Sequence, residues 1–135
     1  MVLVDTSVWI DFLRGSSTPQ VGRLEELLEG DDLVGTAPII LQEVLQGADS
    51  AGRFEQWRRE FAGLMCYLPL DSIDSHIEAA RMYVACRRAG KTPRSSNDCL
   101  IARIAIEHDL VLLEDDRDFE AIASVDKRLK LFKVA

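Results

Sequence analysis

"LVLLEDDRDFEAIAS", Leu110 to Ser124, is the stretch that decides the architecture. It opens on an apolar run of branched side chains, the composition of a strand covered on both faces. Glu114, Asp115, Asp116 and Asp118 follow at once, where a helix begins. The start of the chain repeats the pattern. "VLV" at Val2 to Val4 reads as a buried strand and Asp5 ends it. "TSVWIDFLRG" then reads as a short helix, with Val8, Trp9, Phe12 and Leu13 on one side and Gly15 as its stop.

The segments between these two fit the same scheme. "SSTPQVGRLEELLEG" gives a helix capped by Ser17 or Thr18, with Pro19 early and Gly30 at its end. "DLVGTA", residues 32–37, holds a short strand, and "PIILQEVLQGA" a helix from Pro38 to Gly47. "SAGRFEQWRREFAG" places Phe54, Trp57 and Phe61 at helical spacing. "MCYLPL" has strand composition, limited by Pro69. "DSIDSHIEAARMYVACRRAG" is the longest helix, with Ile73, Ile77, Ala80 and Val84 as its apolar stripe and Gly90 as its close. "NDCLIARIAIEHD" is capped by Ser96 or Asn97, and Ala102 and Ala105 permit close packing. Leu131 and Phe132 mark an edge strand. Strands separated by helices predict one domain over residues 1–135, a three-layer α/β/α arrangement with a central mostly parallel sheet flanked by helices.

A chain of 135 residues with 47% hydrophobic composition can bury a real core and is not disordered. Cys66, Cys86 and Cys99 form neither a C-x-x-C pair nor a staple framework, which suits a reducing compartment, and with Met65 they are expected in or near the core. The N-terminus shows no signal peptide and no apolar stretch reaches membrane-spanning length, so the expectation is a cytoplasmic protein without membrane contact. A net charge of −7 argues against a simple electrostatic glove for nucleic acid. It leaves room for phosphate chemistry, because a bound metal inverts the local field.

In an open parallel sheet, ligands bind beyond the C-terminal strand ends. Asp5 and the group Asp115, Asp116 and Asp118 share that edge if their strands are central. Glu43 and Asp98 interrupt otherwise apolar helices. Asp98 stands at a helix start, where it could serve only the free N–H groups, whereas Glu43 is mid-helix and needs a partner. Two carboxylates about 4 Å apart repel by roughly 4 kcal/mol at an effective dielectric near 20. Converging acids therefore call for a hard cation such as Mg²⁺ or Mn²⁺. Zinc is not expected, since His76 and His108 are isolated. No G-x-S-x-G elbow occurs, and a calcium loop starting at Asp116 fails because Ala121 stands where glycine is needed. An α/β interaction module is the other reading of the same residues.

"VDTSVWIDFLRG", "IILQEVLQGA", "NDCLIARIA" and "LLEDDRDFEAIA", in this order, resemble the PIN-domain family, and most closely the VapC toxins of bacterial toxin–antitoxin pairs. The likeness covers essentially the whole chain. It implies that Asp5, Glu43, Asp98 and Asp116 are the metal-binding acids, with Asp118 an additional acid of the same pocket. Thr6 and Ser7 match small polar residues that orient Asp5 or a water. Glu114 and Asp115 depart from the family, standing where threonine or serine and asparagine are common, and they add negative charge beside the pocket. The resemblance also implies a Mg²⁺- or Mn²⁺-dependent endoribonuclease, using one or two ions, that cuts RNA and inhibits translation. The expected partners are a second copy of the chain and a VapB-type antitoxin, assembled into a higher toxin–antitoxin complex that reaches operator DNA only through the antitoxin. Arg87, Arg88, Lys91 and Arg94 precede Asp98 and are candidates for RNA phosphate contacts; a solvated helix end explains them equally well. Trp9 and Phe12 are read as packing residues, and Trp57 and Phe61 as either packing or the lining of a partner groove.

Overall fold

Apolar tripeptides build the centre of the protein. The computed structural model describes residues 1–31 and 33–134, so Asp32 of the "DLVGTA" segment lies outside the described residues. The chain runs β1 (Val2–Val4), α1 (Thr6–Leu13), α2 (Pro19–Glu29), β2 (Val34–Thr36), α3 (Pro38–Leu45), α4 (Ala51–Phe61), β3 (Met65–Cys66), α5 (Ser72–Arg88), α6 (Asn97–Glu107), β4 (Val111–Leu113), α7 (Arg117–Val125) and β5 (Lys130–Leu131). The strands pair in the order β3-β2-β1-β4-β5, and every pairing is parallel. Leu3 lies opposite Gly35 on one side and Leu112 on the other, so β1 and β4 are the inner strands that carry the acids. Helices flank this sheet, giving the three layers: α1 packs on α2 and α3, α3 on α4, and α5 on α6 and α7.

Short strands suffice because their side chains are covered on both faces. Leu3, Val4, Leu112 and Leu113 are fully buried among Val8, Leu24, Ile40, Ile101, Phe119 and Ile122. Trp9 sits in this core edge-on to Phe61, ring centres 4.8 Å apart, and Phe12 is half-buried beside it. Trp57 and Phe61 are buried as well.

Helix ends follow the caps expected from the sequence in most cases. The Thr18 hydroxyl accepts from the Val21 N–H at 3.1 Å, ahead of Pro19 at the first helical position. At α6 the cap differs: Ser96 holds the cap position without a side-chain bond, and the Ser95 hydroxyl accepts from the Asn97 N–H instead. Gly90 ends α5 at φ +73°, a left-handed conformation that a Cβ disfavours.

Two expectations about burial are corrected. The Ile73, Ile77, Ala80, Val84 stripe of α5 faces outward, with Ile73 75% and Ile77 46% exposed; the buried stripe is Ser75, Ala79, Met82 and Cys86. Small side chains win that face because α5 lies against α6, whose Ala102 and Ala105 are also fully buried. Ser75 fixes the choice through a hydroxyl bond to the Glu107 carboxylate, which also accepts from Arg103 Nε. Met65 and Cys66 are exposed rather than core, because β3 is a two-residue strand at the sheet edge.

Gly35 in β2 is a point of close approach. A Cβ there would overlap Tyr67 Cε2 and stand 3.1 Å from the Met65 carbonyl oxygen. Gly35→Ala is therefore expected to destabilise the protein by about 1–3 kcal/mol, the usual range for overpacking, measurable as a lower urea midpoint with an unchanged slope.

Candidate metal centre

The strand order reverses direction at β1 and β4: the chain leaves β1 toward β2 and returns through β4 toward β5. The crevice at such a reversal lies beyond the strand C-termini, and each of the two strands delivers an acid there as a helix cap. Asp5 caps α1: its Oδ2 accepts from the Ser7 hydroxyl at 2.9 Å and, more weakly, from the Ser7 N–H at 3.5 Å. Asp116 caps α7, its Oδ1 accepting from the Asp118 N–H at 2.9 Å. Backbone pairing ties the two ends together, the Asp5 N–H donating to the Leu113 carbonyl at 2.9 Å. Capping alone accounts for an aspartate at each place. It does not account for the acids that meet them.

Asp98 projects from the first turn of α6, and with Asp116 and Asp118 it forms a trio in which one carboxylate oxygen from each residue lies within 4.8 Å of the others. Asp118 is thus a member of the compact group. Asp5 and Glu43 are outside that trio, but their charges reach it. Asp98 is pushed up to about 7, first by burial and then by Asp5, Asp116, Asp118 and Glu43. Asp5 is pushed up to about 6, chiefly by burial, against the lowering effect of its bonds from Ser7 and the Thr6 N–H. Carboxyls raised in this way hold protons that a divalent cation would replace.

Glu43 has the partner its mid-helix position required: the Thr6 hydroxyl donates to its Oε1 at 2.8 Å. Ser7 and Thr6, adjacent in sequence, therefore hold two different acids, Ser7 holding Asp5 and Thr6 holding Glu43. Asp115 is exposed and makes no side-chain bond among the described residues. Glu114 has a structural task that its acidity did not reveal. Its carboxylate accepts from the Asp116 N–H at 2.7 Å, bracing the turn into α7, and burial raises it above the ordinary glutamate value.

The four basic candidates separate. Arg87 and Arg88 are exposed at the end of α5, and Lys91 Nζ bonds the Ser124 hydroxyl at 3.0 Å. Arg94 turns to the acids, its guanidinium donating to Asp116 Oδ1 at 2.9 Å and to Asp118 Oδ2 at 3.2 Å. That contact was not legible from spacing, because 22 and 24 residues separate the partners and only the course of the 91–96 loop joins them. The histidines are elsewhere: His108 bonds the Leu68 carbonyl and His76 the Ser72 carbonyl. Cys99 is buried beside Asp98 and its thiol is pushed up to about 12, mainly by burial, so it is no nucleophile at neutral pH.

The donor set fits a hard divalent ion. It consists of carboxylate oxygens, with no sulfur or imidazole in the trio, and the Asp98 side chain accepts no hydrogen bond among the described residues.

A parallel sheet with helices on its faces and a carboxylate pocket at its reversal point defines the class of protein. The chain belongs to the PIN-domain family, whose model matches residues 2–125, within the group of VapC proteins. It is 36% identical over 126 residues to ribonuclease VapC11 of Mycobacterium tuberculosis, covering 93% of each chain. The same identity and coverage relate it to VapC ribonuclease Mb1587 of Mycobacterium bovis. Among solved structures, VapBC2 from Rickettsia felis, bound to a DNA fragment from its promoter, superposes with a TM-score of 0.74 at 16% identity, covering 98% of both chains. Among the described residues, no helix is long and apolar enough to cross a membrane.

Proposed function

We propose that this chain is a Mg²⁺- or Mn²⁺-dependent endoribonuclease toxin, folded as one PIN domain, that hydrolyses RNA, inhibits translation in the cytoplasm and is neutralised by a VapB-type antitoxin. The observation that carries the reading is the gathering of Asp98, Asp116 and Asp118 in one pocket, under the field of Asp5 and Glu43. Repulsion within such a group is tolerable only if a cation or protons compensate it. Asp98, Asp116 and Asp118, joined by Asp5, would hold the ion or ions, with Glu43 completing the carboxylate wall. A divalent ion bound there supplies Lewis acidity and a water of lowered pKa, so that hydrolysis needs no covalent protein intermediate. Ser7 and Thr6 keep Asp5 and Glu43 in fixed orientations, and Glu114 holds the backbone from which Asp116 projects.

The names of the relatives support the substrate class, and the Rickettsia complex supports an antitoxin partner through which promoter DNA is reached. A homodimer within that complex belongs to the same reading. The test is total RNA incubated with the purified chain and Mg²⁺, followed by mapping of the new ends. Discrete cleavage that EDTA abolishes, and that the protein encoded beside this chain suppresses, is the expected result. Cleavage that is indifferent to EDTA would remove the metal-dependent reading, and none from antitoxin-free protein with Mg²⁺ would remove the nuclease reading.

A further inference from the structure

Arg94 is bound to the acidic pocket in two separable ways. Its main-chain N–H donates to Asp118 Oδ2 at 3.0 Å, so the loop between α5 and α6 is fastened to the first turn of α7 whatever the side chain does. Its guanidinium adds one bond to that same oxygen and one to Asp116 Oδ1. The two acids are mostly covered, with side-chain exposures of 11% for Asp118 and 23% for Asp116, whereas the Arg94 side chain is 74% exposed. A cation on a flexible, solvated stem therefore closes over carboxylates that are themselves held in place. The fixed end is the acids; the movable end is the arginine.

Charge explains why the arginine lies there. Asp98, Asp116 and Asp118 each bring one carboxylate oxygen within 4.8 Å of the others, and Arg94 is the basic side chain that pairs with any of them among the described residues. Asp116 accepts both the guanidinium and the Asp118 N–H on Oδ1, and Asp118 accepts both Arg94 donors on Oδ2. The other oxygen of each carboxylate accepts no hydrogen bond among the described residues. An incoming ion would thus meet available oxygens with a like charge standing beside them.

We propose that Arg94 is the pocket's built-in counter-ion, a side chain that neutralises Asp116 and Asp118 in the metal-free protein and opposes the divalent ion for the same carboxylates. Metal uptake then weakens the guanidinium's hold on Asp116, while the main-chain bond keeps the loop at the pocket mouth. Freed donors on a planar guanidinium at that mouth suit a phosphate oxygen. Arg94 is in this sense a positioning residue, and its contact with the acids sets how readily the site loads. The inference rests on the divalent-ion reading of the pocket.

The test is calorimetric titration of Mn²⁺ into the full chain, free of antitoxin, for wild type, Arg94→Gln and Arg94→Lys, together with melting in EDTA. Both variants keep the main-chain bond and alter an exposed side chain, so folding is expected to survive. Arg94→Gln should bind Mn²⁺ about tenfold more tightly, in line with removing one like charge from the edge of a poorly screened site, and should melt earlier than wild type in EDTA. Arg94→Lys, which keeps the charge but loses the fork, should fall between the two. Equal or weaker Mn²⁺ binding by Arg94→Gln, with wild type binding normally, overturns the counter-ion role and leaves the nuclease reading intact. A wild-type chain that takes up no Mn²⁺ overturns both.

Discussion

Asp98→Asn is expected to reduce RNA cleavage by at least about a hundredfold at fixed Mg²⁺, the range seen when a main electrostatic element of a reacting site is lost, and to raise the melting temperature of the metal-free protein. The two effects come from one cause. Asp98 is buried and under the repulsion of Asp5, Asp116, Asp118 and Glu43, with no hydrogen-bond donor among the described residues to offset it. Asparagine keeps the size and removes the charge, so the fold loses a repulsion while the pocket loses one of its proposed ligands. For a chain of this length, each kcal/mol of stability corresponds to roughly 3–5 °C in melting temperature. A variant that had merely misfolded would lose activity and melt lower. Loss of cleavage with an unchanged or raised metal-free melting point therefore assigns the carboxylate to function. Full cleavage by Asp98→Asn would remove Asp98 from the site, and a lowered melting point would overturn the argument from repulsion.

The sequence carried the acids on β1 and β4 well, because a strand-to-helix boundary has two independent marks. The apolar run must end where side chains leave the sheet, and a cap must open the helix that follows: Asp5 does so directly after β1, and Asp116 three residues after the end of β4. Parallel pairing of the two strands then brings the boundaries together. Glu43 was legible for a different reason: a carboxylate one turn into an apolar helix demanded a partner, which is Thr6. The face of α5 was not legible. That helix has apolar residues on two sides, and periodicity counts them without weighing size; close packing on α6 chose the small residues Ala79 and Cys86 over the isoleucines. Met65 and Cys66 misled in a related way, since composition marks a strand but not its place at the sheet edge. Arg94 reads from the sequence as one of the basic residues at a helix end and in the loop preceding Asp98, and only the path of that loop brings it to Asp116 and Asp118.

Protons should act as the second substitute for the metal, and this gives the protein an unusual dependence on pH. Buried carboxylates paired with bases have lowered values and stabilise a fold more as pH rises. Asp5 and Asp98 are the opposite case, pushed from the ordinary 3.8 up to about 6 and about 7. Between pH 4 and 7 the metal-free folded chain therefore holds more protons than the unfolded chain, and its stability falls as pH rises through that window. Asp109 and Asp126 are lowered by Lys130 and Arg128 respectively, so their contributions fade only as pH drops toward and below the ordinary aspartate value. In EDTA the melting temperature is accordingly expected to fall by several degrees from pH 5 to pH 8, on the scale by which single kcal/mol changes move a domain of this size. Saturating Mn²⁺ should reverse the slope, because the ion binds the deprotonated acids and releases their protons. Asp98→Asn should flatten the metal-free slope, since the more strongly raised of the two groups is gone. Melting curves at four pH values, with EDTA and with Mn²⁺, decide the matter. A metal-free melting temperature that stays level or climbs from pH 5 to pH 8 would show that Asp5 and Asp98 ionise without penalty, and that the pocket has no need of a cation.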